Sequence, residues 1–207
     1  EGATHIARVK SVARRLLTKG YGRVVYASSA VVYGDQIDTP RSPDEPLPAQ
    51  AGIYASGKVQ VEREFLGHAG GVIARLANVY GIGMATNNVL GDILRQVPGE
   101  GPVFVRDASP VRDFISVADA ASGFLALAIG RPVGILNLGS GIGRSVAELV
   151  EVACVAAGQP LRPVYSTAPS GRRSTLVLDI ARTREQFGWT PVVDLTTDIR
   201  SLLTYGR

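Results

Sequence analysis

The sequence holds one cysteine and two histidines, and each scarcity excludes some chemistry. With Cys154 alone no disulfide framework forms, so a reducing compartment, taken as the cytoplasm, is the simplest setting. A thiol set in an apolar helical stretch reads as a buried structural group. His5 and His68 are too few and too far apart for a metal site or a Ser-His-Asp triad, so no metal is expected, and both are read as facing solvent. Charge is thin too: 19% of the residues are charged and the net charge is +4, with Lys and Arg scattered rather than blocked. That pattern argues against a nucleic-acid groove and suits a small phosphorylated ligand. Apolar runs such as Phe124 to Ile129 fall far short of the roughly 18 residues a membrane span needs, so a soluble protein is expected. The chain opens Glu1-Gly2-Ala3-Thr4 with neither a methionine nor a signal peptide, and its true N-terminus is expected elsewhere.

What is present is a hydrophobic content of 45% over 207 residues, enough for one sizeable core and a small second lobe. From Ala3 to Lys19, Ile6, Val9, Ala13, Leu16 and Leu17 recur at helical spacing. Arg23 to Ala27 then reads as a short buried parallel strand ending in Ser28 and Ser29. Pro40, Pro43, Pro46 and Pro48 break regular structure until Ile53. A second helix is predicted from Tyr54 to about Gly67 and a second buried strand from Val72 to Ala77. Later come a helix over 116–129, a strand over 134–138, a helix over 145–157, and a closing helical pair over 181–187 and 194–203. The alternation predicts an α/β, doubly wound parallel sheet without internal repeats.

Tyr54-Ala-Ser-Gly-Lys58 places a phenol and an ammonium four residues apart, hence on one helix face. A tyrosine at its reference pKa of about 10 is a poor base at pH 7, and a nearby cation favours its phenolate. Ser29 stands at the carboxyl end of a parallel strand, the edge where open α/β sheets bind ligands, and its hydroxyl is able to share a hydrogen bond with a substrate oxygen. Ser29, Tyr54 and Lys58 are therefore the candidate catalytic set.

The context of that set is distinctive. Ser28-Ser29-Ala-Val-Val-Tyr-Gly precedes it across the Pro-rich loop, and Arg75-Leu-Ala-Asn78-Val-Tyr80-Gly81 follows. Further on stand Arg112-Asp113-Phe-Ile-Ser-Val-Ala-Asp119, Asn137-Leu-Gly-Ser-Gly141 and Phe187-Gly-Trp189-Thr-Pro191. In this order the motifs resemble the extended short-chain dehydrogenase/reductase family, in particular its NAD-dependent epimerases and dehydratases of nucleotide sugars, of the UDP-glucose 4-epimerase type. The resemblance implies a Rossmann-like domain over 1–80, joined by about 107–139, with 81–106 and 140–207 forming a smaller C-terminal substrate-binding lobe. It implies Tyr54 as general base, Lys58 as the residue that tunes it and holds the nicotinamide ribose, and Ser29 as the group orienting the sugar hydroxyl. NAD, with NADP possible, is implied to lie along Ala27, Ser28, Tyr54, Lys58 and Leu76. A nucleotide-diphosphate sugar is implied to meet Ser29, Asn78, Arg112 and Arg172, and the full-length protein to be a homodimer. The implied reaction removes a hydride from the sugar and returns it to the opposite face of a keto intermediate, so NAD is regenerated. In relatives that are dehydratases an Asp-Glu pair follows the strand-end hydroxyl residue. Ala30 and Val31 stand there, which favours epimerisation over dehydration and leaves a 4-keto reductase open. For Arg112 the competing role is a structural ion pair with Asp113 or Asp119. Tyr33 and Tyr80 fall near the implied site, but core packing explains such rings equally well.

The family's glycine-rich dinucleotide turn is absent, and the sequence reads as N-terminally truncated by roughly three βα units of about 30 residues each. Alone, such a half-sheet exposes an apolar edge, and an inactive or regulatory dinucleotide-binding fragment is the non-catalytic alternative. Two decoys remain. Gly52 to Lys58 nearly spells a P-loop, but Val59 replaces the magnesium-binding Ser or Thr and no apolar strand leads in. Gly139-Ser-Gly141-Ile-Gly143 imitates a dinucleotide turn with its third glycine one residue early, and is expected to be a tight turn between a strand and a helix.

Overall fold

The computed structural model describes residues 2–49 and 52–205. Helix α1 (Gly2–Leu17) leads into β1 (Val24–Ser29), helix α2 (Ile53–Leu66) into β2 (Gly71–Leu76), and β3 (Asn78–Tyr80) follows directly. Helix α3 (Val89–Gln96) and β4 (Val103–Val105) precede β5 (Val111–Ser116), helix α4 (Val117–Ile129) and β6 (Gly134–Leu138). The rest is β7 (Gly143–Ser145), α5 (Val146–Ala156), β8 (Val164–Ser166), β9 (Thr175–Leu176), α6 (Ala181–Phe187) and α7 (Leu195–Tyr205).

Strands β1, β2 and β6 pair in parallel, with Ser28 opposite Arg75 and Arg75 opposite Asn137. Period-two alternation gives this sheet two apolar faces, as a parallel sheet covered by helices requires. Val72, Ala74, Leu136 and Leu138 join the core beneath α4, whereas Val24, Tyr26, Ile73 and Ile135 pack with Ala13 of α1 and Val61 and Phe65 of α2. The doubly wound α/β reading therefore holds. A second core gathers Ile93, Val103, Phe114, Leu149, Val150, Cys154 and Ile199 around α3, α5 and α7, and it buries the lone thiol completely.

Helix starts follow their capping chemistry. The Ser116 hydroxyl accepts from the Asp119 N–H at 3.0 Å, and Ser145 with Glu148 forms a reciprocal capping box ahead of α5. Gly71 is required where α2 hands over to β2, because a Cβ there would sit 1.9 Å from the Phe65 carbonyl oxygen.

Several elements went unread in the sequence. The short strands β3, β4, β7, β8 and β9 carry too few residues for a periodic signal, and β5 was not read as a strand. Strand β5 is the hub of a second, mixed sheet: parallel to β3 and β9, antiparallel to β7. His68 is half-buried rather than solvent-facing, with its Nδ1 accepting from the Gly70 N–H at 3.1 Å; the His5 side chain lies outside the described ones.

Candidate active site

A cavity of about 440 Å³ opens at the carboxyl ends of β1 and β2, and its walls include Ser29, Tyr54, Leu76, Asn78 and Arg112. Residues separated by more than eighty positions thus meet in one hollow. Behind it lies an apolar hollow of about 360 Å³ between α1, α2 and β1, lined by Ile6, Val9, Tyr26, Ile53, Gly57, Val61 and the same Tyr54, with Lys58 as the one cation among its described residues. Tyr54 borders both.

The geometry around Tyr54 follows from a helix starting at Ile53. Four-residue spacing brings the Lys58 ammonium 5.6 Å from the centroid of the Tyr54 ring, and 5.2 Å from that of Tyr26. Lys58 Nζ donates to the Ala27 carbonyl at 2.9 Å, which ties α2 to the end of β1. Burial holds the Lys58 ammonium below its usual pKa, and the Glu62 carboxylate one turn later acts in the opposite sense. The chain turns sharply after Ser29. Residues Ala30–Tyr33 form a 3-10 turn capped by Ser29, whose Oγ accepts from the Val31 N–H at a long 3.4 Å, leaving the hydroxyl proton available to another acceptor.

On the opposite wall, the Arg112 guanidinium does not pair with Asp113 or Asp119. Its Nη2 meets Asp35 at 3.3 Å and the Ser174 hydroxyl at 2.7 Å, while Nη1 donates to the carbonyls of Val111 and Ser174, each at 2.9 Å. Ser174 in turn donates to Asp35. Burial pushes the Asp35 carboxyl up, but hydrogen bonds from Ser174 and Gln36 and the Arg112 charge outweigh it and leave its pKa below the ordinary value. Asp119 instead accepts from the N–H groups of Val192 and Val193, both at 3.0 Å. Asn78 reaches the Asp113 carbonyl at 3.1 Å.

Three candidate positions, Ala27, Ser28 and Arg172, line neither the cavity nor the hollow behind it. Ser28 is buried, and its hydroxyl donates to Glu62 on the α2 side of the sheet. Arg172 is exposed and outside the cavity lining; Ser174 is the residue of that segment that reaches Arg112. Ala27 contributes its carbonyl to Lys58, and Leu76 lies in the wall. The sequence reading missed Asp35, which stands in plain view in Tyr33-Gly34-Asp35, two residues beyond the turn that Ser29 caps.

The Gly139–Gly143 decoy is resolved by Asp113. Its carboxylate accepts from the Ser140 N–H at 2.8 Å, the Gly141 N–H at 3.0 Å and the Ser140 hydroxyl at 2.6 Å. A Cβ on Gly139 would lie 2.4 Å from that carboxylate. The turn is an anion nest filled by the protein's own acid, and it leads through β7 rather than straight into a helix. Tyr33 and Tyr80 are both buried; the Tyr33 hydroxyl donates to Asn137 Oδ1 at 2.7 Å. No group of metal-ligating side chains occurs among the described residues, and none of their helices is long and apolar enough to cross a membrane.

A family model described as the NAD dependent epimerase/dehydratase family matches residues 3–139. A UDP-glucose 4-epimerase of Azospirillum brasilense is 30% identical over 219 aligned residues, covering 92% of this chain and 62% of its own length. One from Yersinia pestis is 27% identical over 194 residues, with coverages of 80% and 57%. The chain thus spans roughly three-fifths of the length of these relatives. Among solved structures, MoeE5 in complex with UDP-glucuronic acid and NAD is similar with a TM-score of 0.79 and 28% identity, over 96% of this chain and 69% of that one. TunA, described as an NAD-dependent NDP-hexosamine 5,6-dehydratase, gives 0.81 and 26% over 99% and 70%.

Proposed function

We infer the function from one premise: the chain belongs to the NAD dependent epimerase/dehydratase family, whose model spans residues 3–139. We assign to the protein of which this chain is part the NAD-dependent epimerisation of a nucleotide sugar, with a UDP-sugar as substrate and its 4-hydroxyl as the reacting group. One observation carries this reading: Tyr54 stands between an apolar hollow that holds the Lys58 ammonium and a cavity whose polar groups include Ser29, Asn78 and Arg112.

The residues present fit one end of a nicotinamide dinucleotide. The hollow beside Tyr54 is apolar except for Lys58, as suits an aromatic amide ring with its ribose hydroxyls on an ammonium. Among the described residues the pyrophosphate end finds no equivalent, since the one dinucleotide-like turn there is occupied by Asp113. A bound dinucleotide supplies the acceptor and then the donor of the hydride. Tyr54 takes the proton of the sugar hydroxyl while the carbon bearing it gives up hydride, and returns that proton when the hydride comes back to the other face. Lys58 stabilises negative charge on the phenol oxygen. Ser29 donates to the sugar oxygen as it becomes a carbonyl. Arg112, with Asn78 beside it, receives the diphosphate, which replaces the 3.3 Å contact with Asp35.

Epimerisation is preferred to dehydration because Ala30 and Val31 bring only methyl groups to this wall and the carboxylate present, Asp35, is held by Arg112 and Ser174. A 4-keto reductase using the same three residues is the second reading within the family, and an inactive dinucleotide-binding fragment is the reading outside it. We assign residues 1–80 with about 107–139 to the cofactor-binding part and 81–106 with 140–207 to the sugar-binding part, in a cytoplasmic homodimer. The test is interconversion of UDP-glucose and UDP-galactose with NAD, followed by NMR on the chain joined to the N-terminal segment of the Azospirillum relative. Turnover abolished by Tyr54→Phe supports the assignment; no turnover of any UDP-sugar tested overturns it.

A further inference from the structure

Tyr54, Lys58 and Glu62 follow one another at four-residue steps, so they form a single stripe along α2. Exposure falls along it: Tyr54 is 63% exposed, Lys58 is half-buried and Glu62 is 2% exposed. A carboxylate at such depth is costly unless fully engaged, and this one is. Glu62 receives a two-pronged Arg75 guanidinium, Nη2 to Oε2 at 2.7 Å and Nε to Oε1 at 3.1 Å, and Oε1 also accepts from the Ser28 hydroxyl. Ser28 and Arg75 are register partners across β1 and β2, and Asn137 continues the row on β6. The row below it on the same face, Tyr26, Ile73 and Ile135, is apolar. Arg75 also lies over the Tyr33 ring at 4.7 Å. Glu62 thus latches α2 at one height and rotation to two strands, one residue beyond the Ala27 carbonyl on which Lys58 rests.

We propose that Glu62 is a positioning residue for the Tyr54–Lys58 pair, holding the Lys58 ammonium against the Ala27 carbonyl through its bonds to Ser28 and Arg75. A buried ion pair of purely structural use would stabilise the sheet without fixing where the Lys58 ammonium rests. Two observations join the latch to the site: the four-residue spacing to Lys58, and the adjacency of Ser28 to the carbonyl that Lys58 engages. Among the described residues the ionisable groups about the Lys58 ammonium are Tyr26 from β1 and Tyr54 and Glu62 from its own helix, and Glu62 is the carboxylate among them. The inference rests on the reading of Lys58 given above.

The chain's lysines are Lys10, Lys19 and Lys58, so each ammonium is resolvable by NMR of lysine labelled with carbon-13 at Cε. In Glu62→Gln, close in shape and neutral, the Lys58 titration midpoint should move down while those of Lys10 and Lys19 stay. An unmoved Lys58 in a folded variant overturns the proposal. Should that variant fail to fold, Ser28→Ala leaves the ion pair intact and removes only the tie to β1; it should weaken the Lys58 bond to Ala27, read as an upfield shift of the Ala27 carbonyl carbon. An unchanged carbonyl overturns the proposal equally. Neither measurement needs cofactor or sugar, so their failure sinks the positioning role alone. Unchanged turnover in Lys58→Met would instead sink the catalytic reading on which it rests.

Discussion

The two walls of the candidate site, one shared by the hollow and the cavity and one belonging to the cavity alone, are built by different means. On one, Tyr54 and Lys58 come from consecutive turns of a single helix, and their proximity is a property of the helix period. On the other, Arg112 meets Asp35 and Ser174, partners 77 and 62 residues away, and nothing local brings them together. The helical wall tolerates change in the rest of the fold so long as α2 stays in place. The opposite wall depends on the pairing of β5 with β9 and on the bridge between Gln36 and Thr175. The proposed chemistry belongs to the first wall and the proposed recognition of the diphosphate to the second.

The largest effect expected is on the helical wall. Tyr54→Phe removes the proton acceptor and keeps the ring, so turnover should fall by about 10²–10⁴-fold while nucleotide-sugar affinity changes little. Comparable affinity with undiminished turnover would move the chemistry to the other wall. The latch beneath that wall should show in stability: Arg75→Met leaves Glu62 buried without its partner, and urea unfolding should report a loss of about 3–5 kcal/mol. A loss below about 1 kcal/mol would mean that Ser28 and water satisfy the carboxylate unaided.

On the opposite wall, Arg112→Lys keeps a charge but loses the planar fork. It should raise KM for the nucleotide sugar roughly tenfold and leave kcat nearly unchanged, the signature of an interaction made equally in ground and transition states. A fall in kcat of the same size would instead give Arg112 a part in the chemistry. The smallest effect is in acid. Because the folded pKa of Asp35 lies below the ordinary carboxylate value, its contribution is present above about pH 4 and is lost as pH falls through the lowered pKa. Asp35→Asn should therefore flatten the acid limb of a stability-versus-pH curve and leave the neutral plateau otherwise shaped as before. Equal steepness in both proteins would show that the acid limb belongs to other carboxylates.

Much of the fold was legible because its signals are local. The helices predicted over 116–129 and 181–187 and the strand over 134–138 agree with α4, α6 and β6 to within one residue, since apolar period, a Ser cap or a closing glycine marks their ends. The candidate site was legible in the same measure: Ser29 ends a strand, and Tyr54 and Lys58 share a helix face. Ser28 was read with its neighbour as lining the cofactor, yet a strand turns successive side chains to opposite faces, and Ser28 points to Glu62. Arg112 lines the cavity, while its alternative partners were sought in Asp113 and Asp119, close in sequence. Asp113 is committed to the Ser140 turn and Asp119 to Val192 and Val193.

The sequence by itself determined the alternation of helices and strands, the stripe of Tyr54, Lys58 and Glu62, and the buried thiol at Cys154, because each follows from spacing or composition within one segment. Tertiary structure alone decided that Arg112 faces Asp35, that the Gly139–Gly143 turn grips Asp113 rather than a ligand, and that Ser28 and Arg75 meet over Glu62. Those pairings depend on strand register and on loops that return from as much as 139 residues away, as Ser174 does to Asp35. Register is set by the packing of whole faces against one another, and no single segment carries that information.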